Sequence, residues 1–280
     1  MDDVLEDTAA LFGDVLDDDG TIHYGPLVLT VAPKANTLLA DHLFSPSLLL
    51  AERIERGLIP LSGQSIVELG AGCALPSLLS STLSPPPSLV VITDYPDATI
   101  LGNLAKNVER NEQAISDGCR VLYRGYEWGQ DVAPLLALLP AGHDGFDAVV
   151  LSDLLHFDRA HDALLASLAG LLRRAPRART YVAAGTYTPP HVCDRFLQIA
   201  EAVGLVWEER PPDGAWKGAL PVAGGGLDIE QLAIRKGMCR SWVARWSEAA
   251  LASNRYCAPW DDVRESGLEL SLSLPRGRAI

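Results

Sequence analysis

Two glycines, Gly70 and Gly72, are the residues of this chain whose type and spacing best suit ligand binding. They directly follow a β-prone run at 65–69 and precede an apolar stretch at 74–79 that is typical of a helix. Glycine lets the backbone turn tightly and approach a ligand where a Cβ atom would clash. The amides that open the next helix then face a polar or anionic group, helped by the helix dipole. The pattern predicts a nucleotide-type cofactor cradle at the carboxyl end of a strand.

Two carboxylates near this turn indicate which cofactor it takes. A dinucleotide-binding turn would carry a third glycine at position 75, where this chain has Leu75. Instead, Glu68 lies two positions before the first glycine, and Asp94 ends the next β-prone run at 89–93. A carboxylate after the second strand can accept hydrogen bonds from both hydroxyls of a ribose. We therefore predict that Asp94 binds a ribose, the alternative being that it caps a helix.

Further polar and aromatic side chains follow later predicted strands. Trp128 comes shortly after a β-prone run at 120–123, and Ser152 and Asp153 follow a longer run at 146–151. The carboxyl ends of parallel strands meet at one edge of a sheet, where ligands bind. Residues this distant in sequence are thus predicted to converge on one crevice.

In this order, the Glu-Leu-Gly-Ala-Gly, Thr-Asp, Trp-Gly and post-strand Asp motifs resemble those of the class I, seven-β-strand methyltransferases. Within that class they look like the lysine-methyltransferase-like group. That group includes protein methyltransferases that act on translation factors and members named as nicotinamide N-methyltransferase-like. The resemblance covers about residues 36 to 246. It implies S-adenosyl-L-methionine as the cofactor and a cofactor site lined by Glu68, Gly70, Gly72, Asp94, Trp128 and Ser152.

The chain departs from the group's pattern at one place. The group carries an Asp-x-x-aromatic signature after the fourth strand, whereas this chain has Asp153 followed by His156, with the aromatic Phe157 one position later. The departure bears on the substrate class more than on the cofactor class.

Asp153 and His156 are the predicted catalytic residues. A lysine amine with a pKa of about 10.4 is mostly protonated near neutral pH and must lose a proton before it attacks. Asp153 is placed to orient the amine, and a histidine such as His156 is suited to accept the proton. The alternatives are that Asp153 caps the following helix and that His156 begins this helix, hydrogen-bonded to backbone.

Four aromatic or polar residues have less specific interpretations. Tyr187 follows a predicted strand at 180–184 on the crevice side, where it either walls the acceptor pocket or anchors a turn. Trp128 either stacks on adenine, as the resemblance implies, or packs in the core. Tyr24 and Asn36 are predicted to close over the site from the N-terminal segment.

Alternating strand-like and helix-like segments predict the fold class. We expect an α/β, doubly wound, mostly parallel seven-stranded sheet with an antiparallel last strand. Residues 1–35 are predicted to form an N-terminal extension with a hairpin around a turn at 17–20. Residues 36–250 form the methyltransferase domain, and 251–280 form a C-terminal tail. The Gly- and Pro-rich stretch at 211–226 is predicted to be a mobile loop.

Composition narrows the classes of partner. The 280 residues are 48% hydrophobic, so the chain can bury a large core. Its formal net charge of -13 repels other anions, and we therefore do not expect it to bind nucleic acid or a membrane. The five cysteines lack Cys-x-x-Cys spacing, which predicts neither a metal site nor a disulfide framework. The acidic start does not resemble a signal peptide, which predicts a cytoplasmic protein. We also expect a monomer.

The leading hypothesis is an N-methyltransferase that modifies a protein lysine or an amino-terminal amine, with a basic translation factor as one such partner. The alternative is a methyltransferase for a small amine of the nicotinamide or indole type. Two other classes are less favoured: a catalytically silent binding protein of this fold, and an NAD-dependent oxidoreductase, which Leu75 disfavours.

Overall fold

The structure, a computed structural model, describes residues 21–33 and 39–253. Its strands are β1 (Thr21–Tyr24), β2 (Leu27–Thr30), β3 (Ser65–Leu69), β4 (Leu89–Asp94), β5 (Arg120–Gly125), β6 (Ala148–Ser152), β7 (Arg179–Gly185), β8 (Leu205–Glu209), β9 (Val222–Ala223) and β10 (Cys239–Trp246). Its α-helices are α1 (Ser45–Glu55), α2 (Leu75–Ser81), α3 (Ala98–Arg110), α4 (Ala133–Leu136), α5 (His161–Leu171), α6 (Pro190–Ala202), α7 (Ile229–Gly237) and α8 (Glu248–Ala252).

Seven strands form the main sheet in the order β5-β4-β3-β6-β7-β10-β8. The first five run parallel, and β10 lies between β7 and β8, antiparallel to both. Every residue of β3, β4 and β6 is buried, as expected for central strands covered on both faces. The predicted α/β fold with an antiparallel last strand is confirmed.

Two apolar clusters cover the two faces of the sheet. On one face, α1 contributes Leu48, Leu49 and Ile54, all of which are buried, as their helical spacing predicts. On the other face, α5 contributes a similar set that includes Leu164 and Leu168. Phe44 holds the extended N-cap position of α1, and Ser45 is its first helical residue.

The first described segment, 21–33, contains a β-hairpin. Its two strands, β1 and β2, both lie within 21–30 and turn at Gly25, whose φ is +54°. The turn predicted at 17–20 lies outside the described residues. Side chains of the hairpin, including Tyr24 and Leu29, belong to the same apolar cluster as α1. The predicted domain boundary at 35 and the tail beyond 253 also fall outside the described residues.

The stretch predicted to be a mobile loop, 211–226, is instead anchored. The Lys217 N–H donates to Glu52 Oε1 at 2.6 Å, and β9 within the stretch pairs with β1. Lys236 Nζ donates to the same Glu52 oxygen at 2.8 Å and to the Ala215 carbonyl at 2.6 Å. Because Glu52 and Lys236 are both buried, this ion pair fastens the stretch to α1 and α7. None of the helices in the described ranges is long and apolar enough to cross a membrane.

Candidate active site

A cavity of about 430 Å³ opens beyond the carboxyl ends of β3, β4 and β6. We call the part of its wall formed by the glycine turn at 70–73 and the segments after β4 and β5 the first end. The part formed by residues within 39–47 and within 153–163 is called the second end. The segments that the sequence predicted to converge therefore meet at one cavity.

The glycine turn forms the floor at one end. Gly70 and Gly72 adopt φ values of +58° and +57°, which side chains with a Cβ rarely allow. A Cβ on Gly70 would also lie 2.7 Å from a methyl of Leu154 and 3.1 Å from the ring of Trp128. A Cβ on Gly72 would meet no protein atom within 4 Å, so this backbone faces open space. The turn therefore exposes main chain to a ligand.

Asp94 fastens this turn to the end of β4. Its Oδ2 accepts a hydrogen bond from the Gly72 N–H at 2.7 Å, and its Oδ1 accepts one from the Tyr95 N–H at 2.7 Å. Burial raises the pKa of the Asp94 carboxyl, and the two N–H donors oppose this shift. The side chain lines the cavity, and each of its oxygens keeps a lone pair for a further donor such as a ribose hydroxyl.

Glu68 lies beneath the turn rather than on the cavity wall. It is completely buried, and its Oε2 accepts a hydrogen bond from the Ser77 N–H in the first turn of α2 at 3.2 Å. Burial raises its pKa to about 8, partly opposed by Ser77. The predicted direct contact of Glu68 with the cofactor therefore does not match its place in the fold, and its carboxyl supports the loop from behind.

Trp128 and Ser152 both line the cavity, where the sequence placed them. The Trp128 ring meets Phe157 edge-on, with 5.6 Å between centroids. Ser152 Oγ and Ser47 Oγ are 2.8 Å apart, so a hydrogen bond joins β6 to α1 at the cavity wall. The cofactor-binding roles of both residues remain predictions.

Aromatic rings run in contact from the second end of the cavity toward Trp128. Successive centroid distances are 5.6 Å for His42–Phe44, 6.3 Å for Phe44–Tyr187, 6.4 Å for Tyr187–His156, 4.0 Å for His156–Phe157 and 5.6 Å for Phe157–Trp128. We call these six residues the aromatic arc. All except Tyr187 line the cavity, so Tyr187 supports its neighbours instead of walling the acceptor pocket as predicted.

Asp153 is held in a specific orientation at this end. Its φ is +63°, its Oδ1 accepts a hydrogen bond from the Gly185 N–H at 3.1 Å, and its Oδ2 accepts one from the Tyr187 hydroxyl. Burial raises its pKa to about 6, and the two donors oppose the shift. The alternative that Asp153 caps a helix is wrong, because α5 begins only at His161.

His156 is a neutral side chain in the aromatic arc. His156 does not begin α5, which starts at His161, so the helix-start alternative is wrong. Neither ring nitrogen forms a hydrogen bond of good geometry within the described residues, but the backbone of Asp153 lies near enough to oppose the fall in the pKa of the ring. Burial lowers its pKa to about 4. A base with such a low pKa takes protons poorly near neutral pH, which weakens the predicted catalytic role of His156.

The segment 39–47 is the part of the site that sequence reasoning missed. It contributes Leu39, His42, Phe44 and Ser47 to the cavity, but it has neither a glycine pattern nor a periodicity that would mark it. Tyr24, predicted to close over the site, is buried and packs edge-on against Trp216, and Asn36 lies outside the described residues. Within 21–33 and 39–253, no cluster of three or more His, Cys, Asp or Glu side chains could hold a metal ion.

A family model described as lysine methyltransferase matches residues 30–187. The chain is 27% identical over 263 residues to the protein N-terminal and lysine N-methyltransferase EFM7 of Gibberella zeae, covering 85% of this chain and 96% of that protein. It is 31% identical over 189 residues to the protein of the same name from Emericella nidulans, covering 65% and 72%. Among solved structures, a putative RNA methyltransferase from Pyrococcus horikoshii matches with a TM-score of 0.46 and 13% identity, covering 81% of this chain and 93% of that one.

Proposed function

Since the chain belongs to the lysine methyltransferase family, we propose that it methylates an amine of a protein, either a lysine side chain or an amino terminus. It is a methyltransferase that uses S-adenosyl-L-methionine. Two relatives that it resembles over most of their length are named as protein N-terminal and lysine N-methyltransferases, which supports a protein acceptor.

The residues present fit this cofactor. The exposed main chain at Gly72 and the free lone pairs of Asp94 suit a nucleoside, and Trp128 offers a ring face or edge for adenine. Ser152 adds a hydroxyl at the same wall. When bound, the cofactor supplies a methyl group on a sulfonium, which is already activated toward nucleophiles. The protein therefore has to orient the acceptor and exclude water, and orientation alone can supply roughly 7–11 kcal/mol.

The other end of the cavity suits an amine. Aromatic ring faces attract an ammonium group, and a dry pocket favours the neutral amine that can attack. Asp153 is buried at this end with both carboxylate oxygens engaged by donors, so its position is fixed. A fixed carboxylate orients the N–H bonds of the acceptor so that its lone pair points along the cavity.

The observation that carries the proposal is that one cavity holds both sets of residues. Asp94, the glycine turn and Trp128 line one end; the other end is lined by Asp153 and by four rings of the aromatic arc, those of His42, Phe44, His156 and Phe157. One cavity can thus hold the methyl donor and the amine at the same time, with the amine facing the methyl group.

We also propose a basic protein partner, acted on by a monomer in the cytoplasm. The formal net charge of -13 favours association with a positively charged surface. A translation factor is one such partner, in keeping with the group that the sequence motifs resemble.

The experiment is a transfer assay with methyl-labelled S-adenosylmethionine, the purified protein and a cell extract, with Asp94→Ala as the control variant. The proposal predicts label in precipitable protein, absent with the variant, and mass spectrometry then locates the modified amine. Label confined to the soluble small-molecule fraction would instead assign a small-amine methyltransferase. Without label in either fraction, despite measured cofactor binding, the protein methyltransferase assignment would be wrong.

A further inference from the structure

A histidine and a carboxylate that no motif marked stand at the acceptor end of the cavity. His42 Nδ1 lies 2.9 Å from Asp41 Oδ1. An ionised carboxylate can only accept, so Nδ1 is the donor in this contact; in the neutral ring of that tautomer, Nε2 carries the lone pair. The ring also packs on Phe44, at 5.6 Å between centroids and 34° between planes. Two contacts therefore hold the ring in place.

Exposure distinguishes the two partners of this pair. The Asp41 side chain is 12% exposed, whereas that of His42 is 36% exposed and lines the cavity. The carboxylate is thus screened from water by the protein, while the imidazole stays accessible to a ligand and to solvent. This is the arrangement in which a carboxylate orients a histidine for proton transfer.

The carboxylates and the other histidine that line the cavity are less suited to accept a proton. Asp94 is held by two backbone N–H groups at the cofactor end. Asp153 is held by the Gly185 N–H and the Tyr187 hydroxyl. His156 is neutral with a pKa of about 4 because it is buried.

The remaining titratable side chains of the cavity wall are also poor candidates. Burial raises the pKa of the Cys73 thiol to about 12, and the Tyr126 hydroxyl donates to the Gln130 carbonyl at 2.9 Å. Arg159 is a permanent cation. Glu127 and Tyr95 are exposed on the segments that follow β5 and β4, at the cofactor end.

We propose that His42 accepts the proton that the acceptor amine loses before methyl transfer, and that Asp41 positions the ring for this step. The inference rests on the proposed function. Nε2 takes a proton from the ammonium group, which leaves a neutral amine with a free lone pair. The new N–C bond then forms as the C–S bond breaks, and the electron pair of that bond stays on sulfur. His42 passes its proton to water through its exposed edge.

The kinetic test uses His42→Gln, with His143→Gln as a matched control on an exposed histidine outside the cavity. Heat-treated cell extract serves as the acceptor and labelled S-adenosylmethionine as the donor. We expect His42→Gln to lower the rate near neutral pH by about 100-fold or more. The deficit should shrink as pH rises toward the pKa of the amine, about 8 for an amino terminus or 10.4 for lysine, because the amine then loses its proton to solvent. Imidazole added to His42→Gly should restore part of the rate.

A second readout does not depend on turnover. Long-range ¹H–¹⁵N correlation spectra of the free protein should show the Nδ1–H tautomer at His42, and Asp41→Asn should change this signal. The inference would be overturned if His42→Gln lowered the rate equally at all pH values or left it unchanged. Label transferred to protein by the wild type would still support the proposed function in that case. If the wild-type protein labels nothing, the proposed function itself is wrong.

Discussion

Asn107 on α3 and Thr30 on β2 exchange hydrogen bonds as two paired β-strand residues would. The Thr30 N–H donates to Asn107 Oδ1 at 2.9 Å, and Asn107 Nδ2 donates to the Thr30 carbonyl at 2.8 Å. Nδ2 also lies 3.2 Å from the carbonyl of Cys73, in the glycine turn. Asn111, one helical turn on, bonds to the backbone of β2 in the same manner. Asn103, one turn back, donates to the Thr30 carbonyl and accepts from the Thr30 hydroxyl. The helix thus satisfies the open edge of the hairpin and ties it to the cofactor loop.

Asn107→Ala should destabilise the protein. The substitution removes the acceptor of the Thr30 N–H at a fully buried position, and an unsatisfied buried group costs about 1–3 kcal/mol. We expect the free energy of unfolding, measured by urea denaturation, to fall by about 2 kcal/mol or more. Lys106→Ala, on the exposed side of the same helix, should change it little. Equal effects of the two substitutions would show that the asparagine contacts contribute nothing.

Asp94→Asn should weaken cofactor binding. Both oxygens of Asp94 accept hydrogen bonds from backbone N–H groups. The asparagine amide would have to point its NH₂ group, itself a donor, at one of these N–H groups. Hydrogen bonds to a charged group contribute about 1.5–3 kcal/mol, which corresponds to a dissociation constant raised roughly 10- to 150-fold. Titration calorimetry with the demethylated cofactor measures this change. Asp228→Asn, which keeps the cap of α7, is the matched control, and similar affinities in both variants would remove Asp94 from the cofactor site.

Asp153→Asn should slow methyl transfer without weakening cofactor binding, since Asp153 lies at the acceptor end. We expect the rate to fall by about 100-fold while the affinity measured by calorimetry stays within about twofold. A variant with full activity would reduce Asp153 to a structural role.

Tyr187→Phe tests the same carboxyl through pH. The Tyr187 hydroxyl holds the pKa of Asp153 down, against the larger effect of burial. Without this donor the pKa rises above its value of about 6, so a rate that needs the ionised carboxylate should lose activity at a higher pH than in the wild type. The acid limb of the pH–rate profile is the measurement, and an unmoved limb would contradict this coupling.

Glu68 should make stability fall as pH rises. Burial raises its pKa in the folded protein to about 8 from an ordinary value of 4.5. Below pH 4.5 the carboxyl is protonated in both the folded and the unfolded state. Between pH 4.5 and 8 only the unfolded state releases the proton. The free energy of unfolding therefore falls as pH rises, until about pH 8. The slope from one group is at most about 1.4 kcal/mol per pH unit.

Glu68→Gln removes this ionisation and keeps an acceptor for the Ser77 N–H. The difference in unfolding free energy between variant and wild type should therefore grow in favour of the variant from pH 5 to pH 8. Glu109→Gln, on the exposed side of α3, should show no such trend. Parallel pH profiles of the wild type and Glu68→Gln would mean that Glu68 ionises freely in the folded protein.

The sequence by itself determined the sheet, the glycine turn and the place of Asp94. These depend on local patterns: the fully buried strands are mostly apolar runs, and the tight turn of Gly70 and Gly72 needs residues without a Cβ. Since parallel strands end at one edge, their order along the chain was enough to bring Trp128, Ser152 and Asp153 to one cavity.

Only the tertiary structure decided which side chains are exposed, and to which partners they bond. Glu68 and Asp94 are both carboxylates beside the same turn, yet burial places Glu68 beneath it and Asp94 at the cavity. Contacts between residues far apart in sequence make the difference: Ser47 meets Ser152 across 105 positions, and Thr30 meets Asn107 across 77. No local periodicity encodes such contacts, and the place of His42 at the cavity wall likewise became visible only in the folded chain.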